Sequence, residues 1–294
     1  MEVICLFNGL GNQMSQYALY LSKRAENKKT YFSYNELSNN DHQGYELDKV
    51  FSIKKPLSSF IFYLLYRLLY AREKGLISIL KKGFNLLNIR GVTESINYDF
   101  DSSILKSHKG LVFYYGGWHS EQYFEKHKLE IRRNFTFDAS LLSNSSKQIY
   151  FDILKENSIS VHIRKGDYLN QDNYDTFGRV CTEFYYQKAI DLMVTKVPKD
   201  SIFFVFSNDF NWVKEHLNIS NSVYVDCNIG TDSWMDMCLM SSCKHHIISN
   251  STFSWWGAWL NKNDDKIVIC PDEFIYNVQT KDIYPNSWLK ISNK

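Results

Sequence analysis

A cluster of charged side chains follows an apolar segment in the middle of the chain. The segment 159–163 (ISVHI) leads directly into Arg164 and Lys165, with Asp167 close behind. If this segment is a strand, side-chain alternation places His162 and Arg164 on the same side of it. A guanidinium forms forked hydrogen bonds to phosphate oxygens and an ammonium adds a point charge, so the pair of cations suits a diphosphate. The alternative is a surface ion-pair cluster in which Asp167 neutralises a neighbouring cation.

A glycine-containing loop near the N-terminus is a second candidate for an anion site. The apolar run 2–7 (EVICLF) is followed by the loop 8–13 (NGLGNQ), which includes Gly11, Asn12 and Gln13. Glycine lets a backbone approach a ligand closely, and the N–H groups at a helix N-terminus attract anions and sugar hydroxyls. The loop matches neither GxGxxG nor a P-loop, and its alternative interpretation is a helix start capped by Asn12.

Two further clusters of polar residues follow apolar runs. Asn208 and Asp209 come directly after 202–207 (IFFVFS), and a hydroxyl-rich stretch, 249–254 (SNSTFS), follows HHII. Ligands of open parallel sheets bind at the carboxyl ends of the strands, so both clusters are candidates for ligand contact. The tryptophans that come next, at 255, 256 and 259, are interpreted mainly as core residues.

The cysteine and histidine residues do not have the spacing of a metal site. Neighbouring His245 and His246 would point to opposite faces of a strand, and neither HExxH nor a paired CxxC frames Cys238, Cys243 or Asp236. Six cysteines in 294 residues are too few for a disulfide-stapled domain, which indicates reduced, mostly buried thiols. No metal and no other cofactor is expected.

The elements that must position these residues alternate between strands and helices. The candidate strands near 2–7, 159–163, 202–207, 245–250 and 267–270 are interleaved with stretches of helical periodicity. Such alternation is typical of parallel βαβ units and therefore of an α/β fold. The length favours two domains, predicted at 1–150 and 151–294, with the more regular second half as the nucleotide-binding layer.

Composition and charge exclude several classes of protein. A formal charge of +2 does not support a broad nucleic-acid surface. Four prolines and 13 glycines are below average usage, which excludes collagen-like and low-complexity chains. The start MEVICLF lacks a basic region and a small-residue cleavage site, so we expect a cytoplasmic protein.

The segment 54–90 is both basic and apolar. It carries eight Lys and Arg residues against one acid, Glu73, and its uninterrupted apolar core stops at Arg67, too early for a spanning helix. One interpretation is a helical pair packed on the first domain. The other is a peripheral surface on the inner face of the membrane, resting on an anionic bilayer. The apolar residues assigned to that surface are Phe60, Phe62, Leu64, Leu65, Leu68 and Leu69.

Five segments of the chain resemble the α-1,2-fucosyltransferases of glycosyltransferase family 11. They are NGLGNQMSQYA, GGWHSEQYF with IRRNF, HIRKGDY, FSNDFNWV and DMCLMSSCKHHIISNSTFSWWGAWLN, in that order between residue 2 and about residue 275. The resemblance implies a GT-B-like fold of two Rossmann-like domains facing a cleft, with 54–90 as a helical insertion in the first. It also implies GDP-fucose as donor and inversion at the fucose anomeric carbon without a metal.

The resemblance assigns roles residue by residue. The family pattern His-x-Arg-Arg-x-Asp places Arg164 at the β-phosphate of the leaving GDP, while Lys165 stands where the family has a second arginine. His162 and Asp236 fall where related enzymes contact guanine. The remaining substrate-binding positions are Gly11, Asn12, Gln13, Asn208, Asp209, Ser251, Thr252 and Phe253.

The implied reaction needs a cation for the leaving phosphate and an acceptor for one proton. Arg164 is the predicted catalytic cation, and Asp167, Asp172 and Glu121 remain alternative proton acceptors. The implied acceptor is the 2-hydroxyl of a galactose-terminated glycan on a first, acceptor-side domain. The alternatives are a non-catalytic sugar- or nucleotide-binding module and a transferase for another GDP-sugar.

Overall fold

The computed structural model describes residues 1–34, 43–56, 60–71, 74 and 76–292. The chain divides into two compact units, Met1–Thr136 and Phe137–Lys294. The boundary predicted at residue 150 falls inside a helix, Asn144–Lys155, that belongs to the second unit. That helix contacts the helix Trp234–Ser242 and the strand Ser158–Ile163, so the second unit begins before it.

The first unit is built on a parallel sheet of four strands. These are β1 Glu2–Leu6, β2 Thr30–Tyr34, β3 Ile89–Thr93 and β4 Leu111–Tyr115, in the order β2-β1-β4-β3. All five residues of the central strand β1 are buried. A parallel strand that is covered on both faces is largely apolar, which explains the run 3–6, while the buried carboxylate of Glu2 is paired with Lys23 at 3.0 Å.

The helices of the first unit include the predicted insertion. They are α1 Leu10–Glu26, α2 Leu47–Phe51, α3 Phe60–Tyr70, α4 Leu76–Leu86 and α5 Lys128–Asn134. The N-cap of α1 is Gly9, without a side-chain cap, so the predicted cap at Asn12 is wrong. Asn12 lies within the first turn and donates its backbone N–H to the carbonyl of Gly9 at 3.0 Å. Gly11 is buried in the same turn.

Helix α3 packs on the sheet of the first unit. Phe62, Leu65 and Leu69 lie against a buried cluster that includes Val3 and Phe113. The bilayer face predicted for this helix is therefore wrong at these three positions, because the sheet already covers them. The side chain of Phe60 lies outside the described residues. Within the part of the chain that the structure describes, no helix is both long enough and apolar enough to cross a membrane.

The second unit is built on a parallel sheet of six strands. These are β5 Ser158–Ile163, β6 Ile202–Ser207, β7 Ser222–Val225, β8 His245–Ile247, β9 Val268–Pro271 and β10 Leu289–Ile291, in the order β10-β9-β8-β5-β6-β7. The chain first extends the sheet from β5 to β7 and then returns to place β8 on the other side of β5. Ligands of such sheets bind at this switch point, where loops diverge beyond the strand ends.

Six helices accompany the second sheet. They are α6 Asn144–Lys155, α7 Gln171–Asn173, α8 Glu183–Val194, α9 Phe210–His216, α10 Trp234–Ser242 and α11 Thr252–Leu260. Trp255, Trp256 and Trp259 in α11 are buried, as predicted for core residues. The predicted fold class is confirmed: both units are α/β with parallel sheets, and the first carries two inserted helices.

Candidate functional site

The switch point of the second sheet brings two predicted site regions together. His162, near the end of β5, lies with its Nδ1 2.9 Å from Ser249 Oγ, just beyond β8. The His162 ring also packs 5.7 Å from the ring centre of Phe253. Burial, with a smaller contribution from the charge of Arg164, lowers the pKa of His162 to about 3. The imidazole is therefore neutral near pH 7 and offers packing and hydrogen bonding rather than charge.

Arg164 follows β5 and forms a two-point ion pair with Asp167. Its Nε lies 2.7 Å from Asp167 Oδ1, and its Nη2 donates to Oδ2 at 2.9 Å. Asn208 Nδ2 also donates to Oδ1 of this carboxylate, at 2.9 Å. A carboxylate and a phosphate use the same fork of guanidinium donors. Asp167 therefore holds the Arg164 side chain at the strand end, within the type of contact that a phosphate oxygen could also make.

The amide of Asn208 ties the loop after β5 to the end of β6. Its Oδ1 accepts hydrogen bonds from the backbone N–H groups of Lys165 at 2.9 Å and Gly166 at 3.2 Å. The carboxylate of Asp209 caps α9 by accepting the Trp212 N–H at 3.0 Å. Both predicted ligand residues thus lie just beyond β6, where Asn208 positions the loop that carries Arg164 and Asp209 caps α9.

Lys165 makes contacts different from those of its neighbour Arg164. Only 3 % of Lys165 is exposed, and its Nζ lies 4.7 Å from the centre of the Trp212 ring. The Nζ also donates to the carbonyl of Gly178 at 3.3 Å, and burial lowers its pKa. The side chain lines a pocket of about 420 Å³ together with Tyr276. Lys165 therefore presents a compact ammonium at this position, without the forked donors that an arginine would offer.

The hydroxyl-rich stretch forms the start of α11. Ser251 is the N-cap and accepts the Phe253 N–H at 3.3 Å, while Thr252 and Phe253 are partly exposed. The hydroxyl of Tyr168 donates to the backbone carbonyl of Asn250 at 3.1 Å. This contact connects the loop after β5 to the loop after β8, on both sides of the switch point. The N-terminus of α11 therefore lies at the carboxyl edge, where helix dipoles favour anions.

Asp236 lies in α10 and is held by a chain of buried amide and hydroxyl groups. Asn228 Nδ2 donates to Asp236 Oδ1 at 2.7 Å, and Asn228 Oδ1 accepts from Ser146 Oγ at 2.7 Å. Burial raises the pKa of Asp236 to about 7. Ser146 and Asn228 were not predicted, because a contact between residues so far apart leaves no local pattern in the sequence.

The three predicted proton acceptors lie in different settings. Asp167 is engaged by Arg164 and Asn208, as described above. Asp172 is exposed in the short helix α7. Glu121, in the first unit, lies 3.7 Å from Lys128 Nζ in an ion pair at the surface.

Gln13 fastens a loop of the first unit to the start of α1. Its Nε2 donates to the carbonyls of Asn8 at 2.7 Å and Gly44 at 2.8 Å, and its Oε1 accepts the Glu46 N–H at 3.0 Å. Both amide hydrogens of Gln13 are thus engaged by the protein. The carboxylate of Glu46 is hydrogen-bonded by the backbone of Leu10, and burial raises its pKa to about 7. The N-terminus of α1 is therefore already supplied with a carboxyl group by the protein itself.

A second carboxyl group that was not predicted lies at the carboxyl edge of the first sheet. Glu94 follows β3, and its Oε2 accepts the backbone N–H groups of Gly117 at 2.7 Å and Trp118 at 2.8 Å. Burial raises the pKa of Glu94 to about 7. Trp118 adopts a left-handed conformation with φ of 55°, which is uncommon for a bulky residue. The glycine pair in GGWHSEQYF was the available sequence signal for this turn.

Two further buried polar residues complete this edge. Gln16 Oε1 accepts the Phe7 N–H at 2.9 Å, and its Nε2 donates to the Gly116 carbonyl at 3.2 Å. His119 Nδ1 lies 3.1 Å from Ser15 Oγ, and burial lowers the pKa of this histidine to about 3. The loops after β1 and β4 are therefore joined by uncharged hydrogen-bonding groups.

Metal-binding residue types do not converge in the described part of the chain. Among residues 1–34, 43–56, 60–71, 74 and 76–292, no three His, Cys, Asp or Glu side chains are placed to hold an ion. His246 is buried with its Nδ1 2.8 Å from Ser160 Oγ, which is a core contact. All six cysteines are free and five are buried, as predicted. The metal-free mechanism stays a prediction that chelation can test.

Comparison with known proteins gives the family. The model of Glycosyl transferase family 11 matches residues 85–292. An alpha-1,2-colitosyltransferase of Escherichia coli is 34% identical over 97% of this chain and 97% of its own length. The O-antigen biosynthesis glycosyltransferase WbnK of Escherichia coli is 31% identical over 98% of this chain and 99% of its own. A galactoside alpha-(1,2)-fucosyltransferase 1 of Rattus norvegicus is 30% identical over 58% of this chain and 48% of its own. Since the family model covers well over half of the residues and two relatives match almost end to end, the chain belongs to glycosyl transferase family 11.

Proposed function

We propose that this glycosyltransferase moves fucose from GDP-fucose to the 2-hydroxyl of a galactose residue in a glycan, forming an α-1,2 linkage with inversion. The observation that carries the proposal is the arrangement at the switch point of the second sheet. There Arg164, the neutral His162 and the start of α11 lie at adjoining strand ends. Two of the relatives named above carry the α-1,2 linkage in their names.

Arg164 is the group that this proposal places at the diphosphate. Breaking the glycosidic bond leaves negative charge on the β-phosphate of GDP, and fixed cations stabilise such charge best when they are placed before the reaction. The diphosphate would exchange for Asp167 on the fork of Arg164 donors, with the N-terminus of α11 assisting. This role for Arg164 does not require a metal ion.

His162 and Asp236 are proposed to bind the guanine base. Guanine presents two neighbouring N–H donors, and a carboxylate accepts both. Asp236, with a pKa near 7, becomes fully ionised when such donors approach, since hydrogen bonds to the charged form lower a carboxyl pKa. His162 and Phe253 offer a flat, uncharged surface for the nucleoside.

A second donor sugar, colitose, also has support. The relative that matches the chain almost end to end at 34% identity is a colitosyltransferase. Colitose is fucose without its 3-hydroxyl. A site that hydrogen-bonds a hydroxyl rejects the analogue that lacks it by large factors, whereas an apolar pocket discriminates weakly. The ratio of turnover with the two donors therefore indicates whether the site hydrogen-bonds the 3-hydroxyl of the sugar.

The test is a donor and acceptor panel with the purified chain. GDP release is measured with GDP-fucose and with GDP-colitose, each with and without a galactose-terminated oligosaccharide, and NMR identifies the product linkage. We expect acceptor-dependent GDP release from GDP-fucose and an α-1,2 product. Higher turnover with GDP-colitose would assign that donor instead. Nucleotide binding without release from any donor would indicate a non-catalytic module.

A further inference from the structure

Helix α4 presents an apolar face to solvent. Ile79 is 67% exposed, Leu86 is 86% exposed and the adjoining Leu87 is 70% exposed. Positions 79, 82 and 86 follow the three- and four-residue spacing of one helix face, and the residue at 82 is an exposed lysine. A face of this kind joins large apolar side chains to a cation within two turns of helix.

The opposite side of α4 is attached to the first unit, which orients the exposed face. Ile77, Lys81 and Phe84 share that side by helical spacing and are all partly buried. Lys81 Nζ donates to the carbonyl of Ala71 at 2.8 Å, and the helix contacts both α3 and β3. The side of α4 that carries Ile77, Lys81 and Phe84 packs on the first unit. The exposed apolar face therefore lies on the other side of the helix.

The exposed charges on this stretch of the chain are basic. Lys82 lies on the outer face of α4 itself, and Arg67 on α3, Lys74 before α4 and Arg90 on β3 are also exposed. The sequence between 54 and 90 contains a single acid, Glu73, against eight basic residues. A second copy of this chain would bring the same sign of charge to the contact, and like charges oppose such pairing. An anionic lipid bilayer has negative headgroups beside an apolar layer, so it complements both the basic charge and the apolar side chains of this face.

We propose that the outer face of α4, made of Ile79, Lys82, Leu86 and Leu87 with the neighbouring cations, docks on an anionic lipid bilayer. The apolar side chains enter the boundary between headgroups and acyl chains while the cations stay at the headgroups. Each cation near an anionic leaflet strengthens the partition constant by about fivefold, so binding is reversible and sensitive to salt. None of these residues is among those assigned to the sites at the strand ends, and the proposal does not depend on the donor.

Vesicle co-sedimentation of the full chain tests the proposal. The probes are phosphatidylcholine vesicles with and without phosphatidylglycerol, each at low and high salt. We expect binding to the anionic vesicles at low salt, with a loss of more than tenfold at high salt or without the anionic lipid. The triple variant I79S/L86S/L87S should bind more than tenfold more weakly, and K82E at least fivefold more weakly.

Matched control variants distinguish binding through the α4 face from non-specific binding by any exposed apolar side chain. Ile96 and Leu129 are 76% and 74% exposed in the same unit but lie outside α4, so I96S and L129S should bind as the wild type does. Far-UV circular dichroism and turnover on a water-soluble acceptor, both unchanged, show that the triple variant is folded. Equal binding to both vesicle types, or wild-type binding by the triple variant, would overturn the proposal. Gel filtration with light scattering that shows a dimer lost in the triple variant would assign the face to self-association instead.

Discussion

The two sheets use the same end of their strands for opposite chemistry. In the second unit the loop after β5 carries a cation, Arg164, held by Asp167 and organised by Asn208. In the first unit the corresponding edge carries carboxyl groups, Glu46 and Glu94, whose pKa values burial raises to about 7. The same arrangement of parallel strands thus carries a fixed cation at its edge in one unit and nearly neutral hydrogen-bonding groups in the other.

The difference indicates which unit suits which ligand. A fixed guanidinium beside a helix N-terminus favours a diphosphate. Carboxyl, amide and neutral imidazole groups suit sugar hydroxyls, which both donate and accept hydrogen bonds. The proposed division into a donor-binding second unit and an acceptor-side first unit agrees with this chemistry.

The largest expected effect on transfer comes from removing Arg164, the cation at the carboxyl edge of the second sheet. Arg164→Ala should lower transfer by about 10²- to 10³-fold, since it removes a placed donor to a developing anion. Arg164→Lys should restore only part of the activity, because an ammonium lacks the fork. Steady-state kinetics measure both variants, with Lys188→Ala, an exposed cation of the same unit, as control. An Arg164→Ala variant that folds and keeps more than about a tenth of the turnover would contradict the assignment.

A smaller effect is expected at the guanine-binding carboxylate. Asp236→Asn should weaken GDP binding by about 10- to 100-fold, because charged hydrogen bonds are replaced by neutral ones. Isothermal titration calorimetry with GDP measures the change directly, and Asp191→Asn, exposed on α8, is the matched control. Unchanged GDP affinity in Asp236→Asn would remove this residue from the nucleotide site.

The buried carboxyl group at the carboxyl edge of the first sheet should make the free energy of unfolding depend on pH. The folded-state pKa of Glu94, about 7, lies above its ordinary value of 4.5, so the folded state holds its proton more tightly than the unfolded state. The free energy of unfolding should therefore fall as pH rises from about 4.5 to 7, by about 2–3 kcal/mol from this group. Glu94→Gln keeps an oxygen for the Gly117 and Trp118 N–H groups and should remove this decrease.

Urea unfolding at several pH values between 4 and 8 gives the measurement. Glu121→Gln removes a carboxylate that forms a surface ion pair in the same unit and serves as control. If Glu94→Gln and the wild type lose stability in parallel over this range, the unusual protonation of Glu94 is disproved.

The smallest expected effect is that of chelation. Neither edge, as described, gathers three metal-binding side chains, so turnover in excess EDTA should stay within about twofold of the untreated enzyme. The measurement uses metal-stripped protein with the donor that proves active. A loss that added Mg²⁺ or Mn²⁺ restores would show that an ion supplements Arg164.

Local patterns were sufficient to predict much of the fold. The strands β1, β5 and β6 were found within one residue of their observed ends, because strands covered on both faces are rich in apolar and β-branched side chains. The start of α1 was misplaced, because Gly9 precedes the helix without any side-chain cap that a pattern could reveal. The outer face of α4 also had no distinguishing pattern, since α3 is more apolar than α4 and yet packs on the sheet.

The α/β class, the strands that carry the site and the residue types at their carboxyl ends all follow from sequence patterns. The partner that each side chain takes depends instead on how the elements pack. Arg164 meets Asp167 three residues away, whereas Lys165 reaches Trp212 and Glu94 meets the turn at Gly117. The last two contacts exist because strands that are distant in sequence lie side by side, and that adjacency depends on the packing of whole elements rather than on any local pattern.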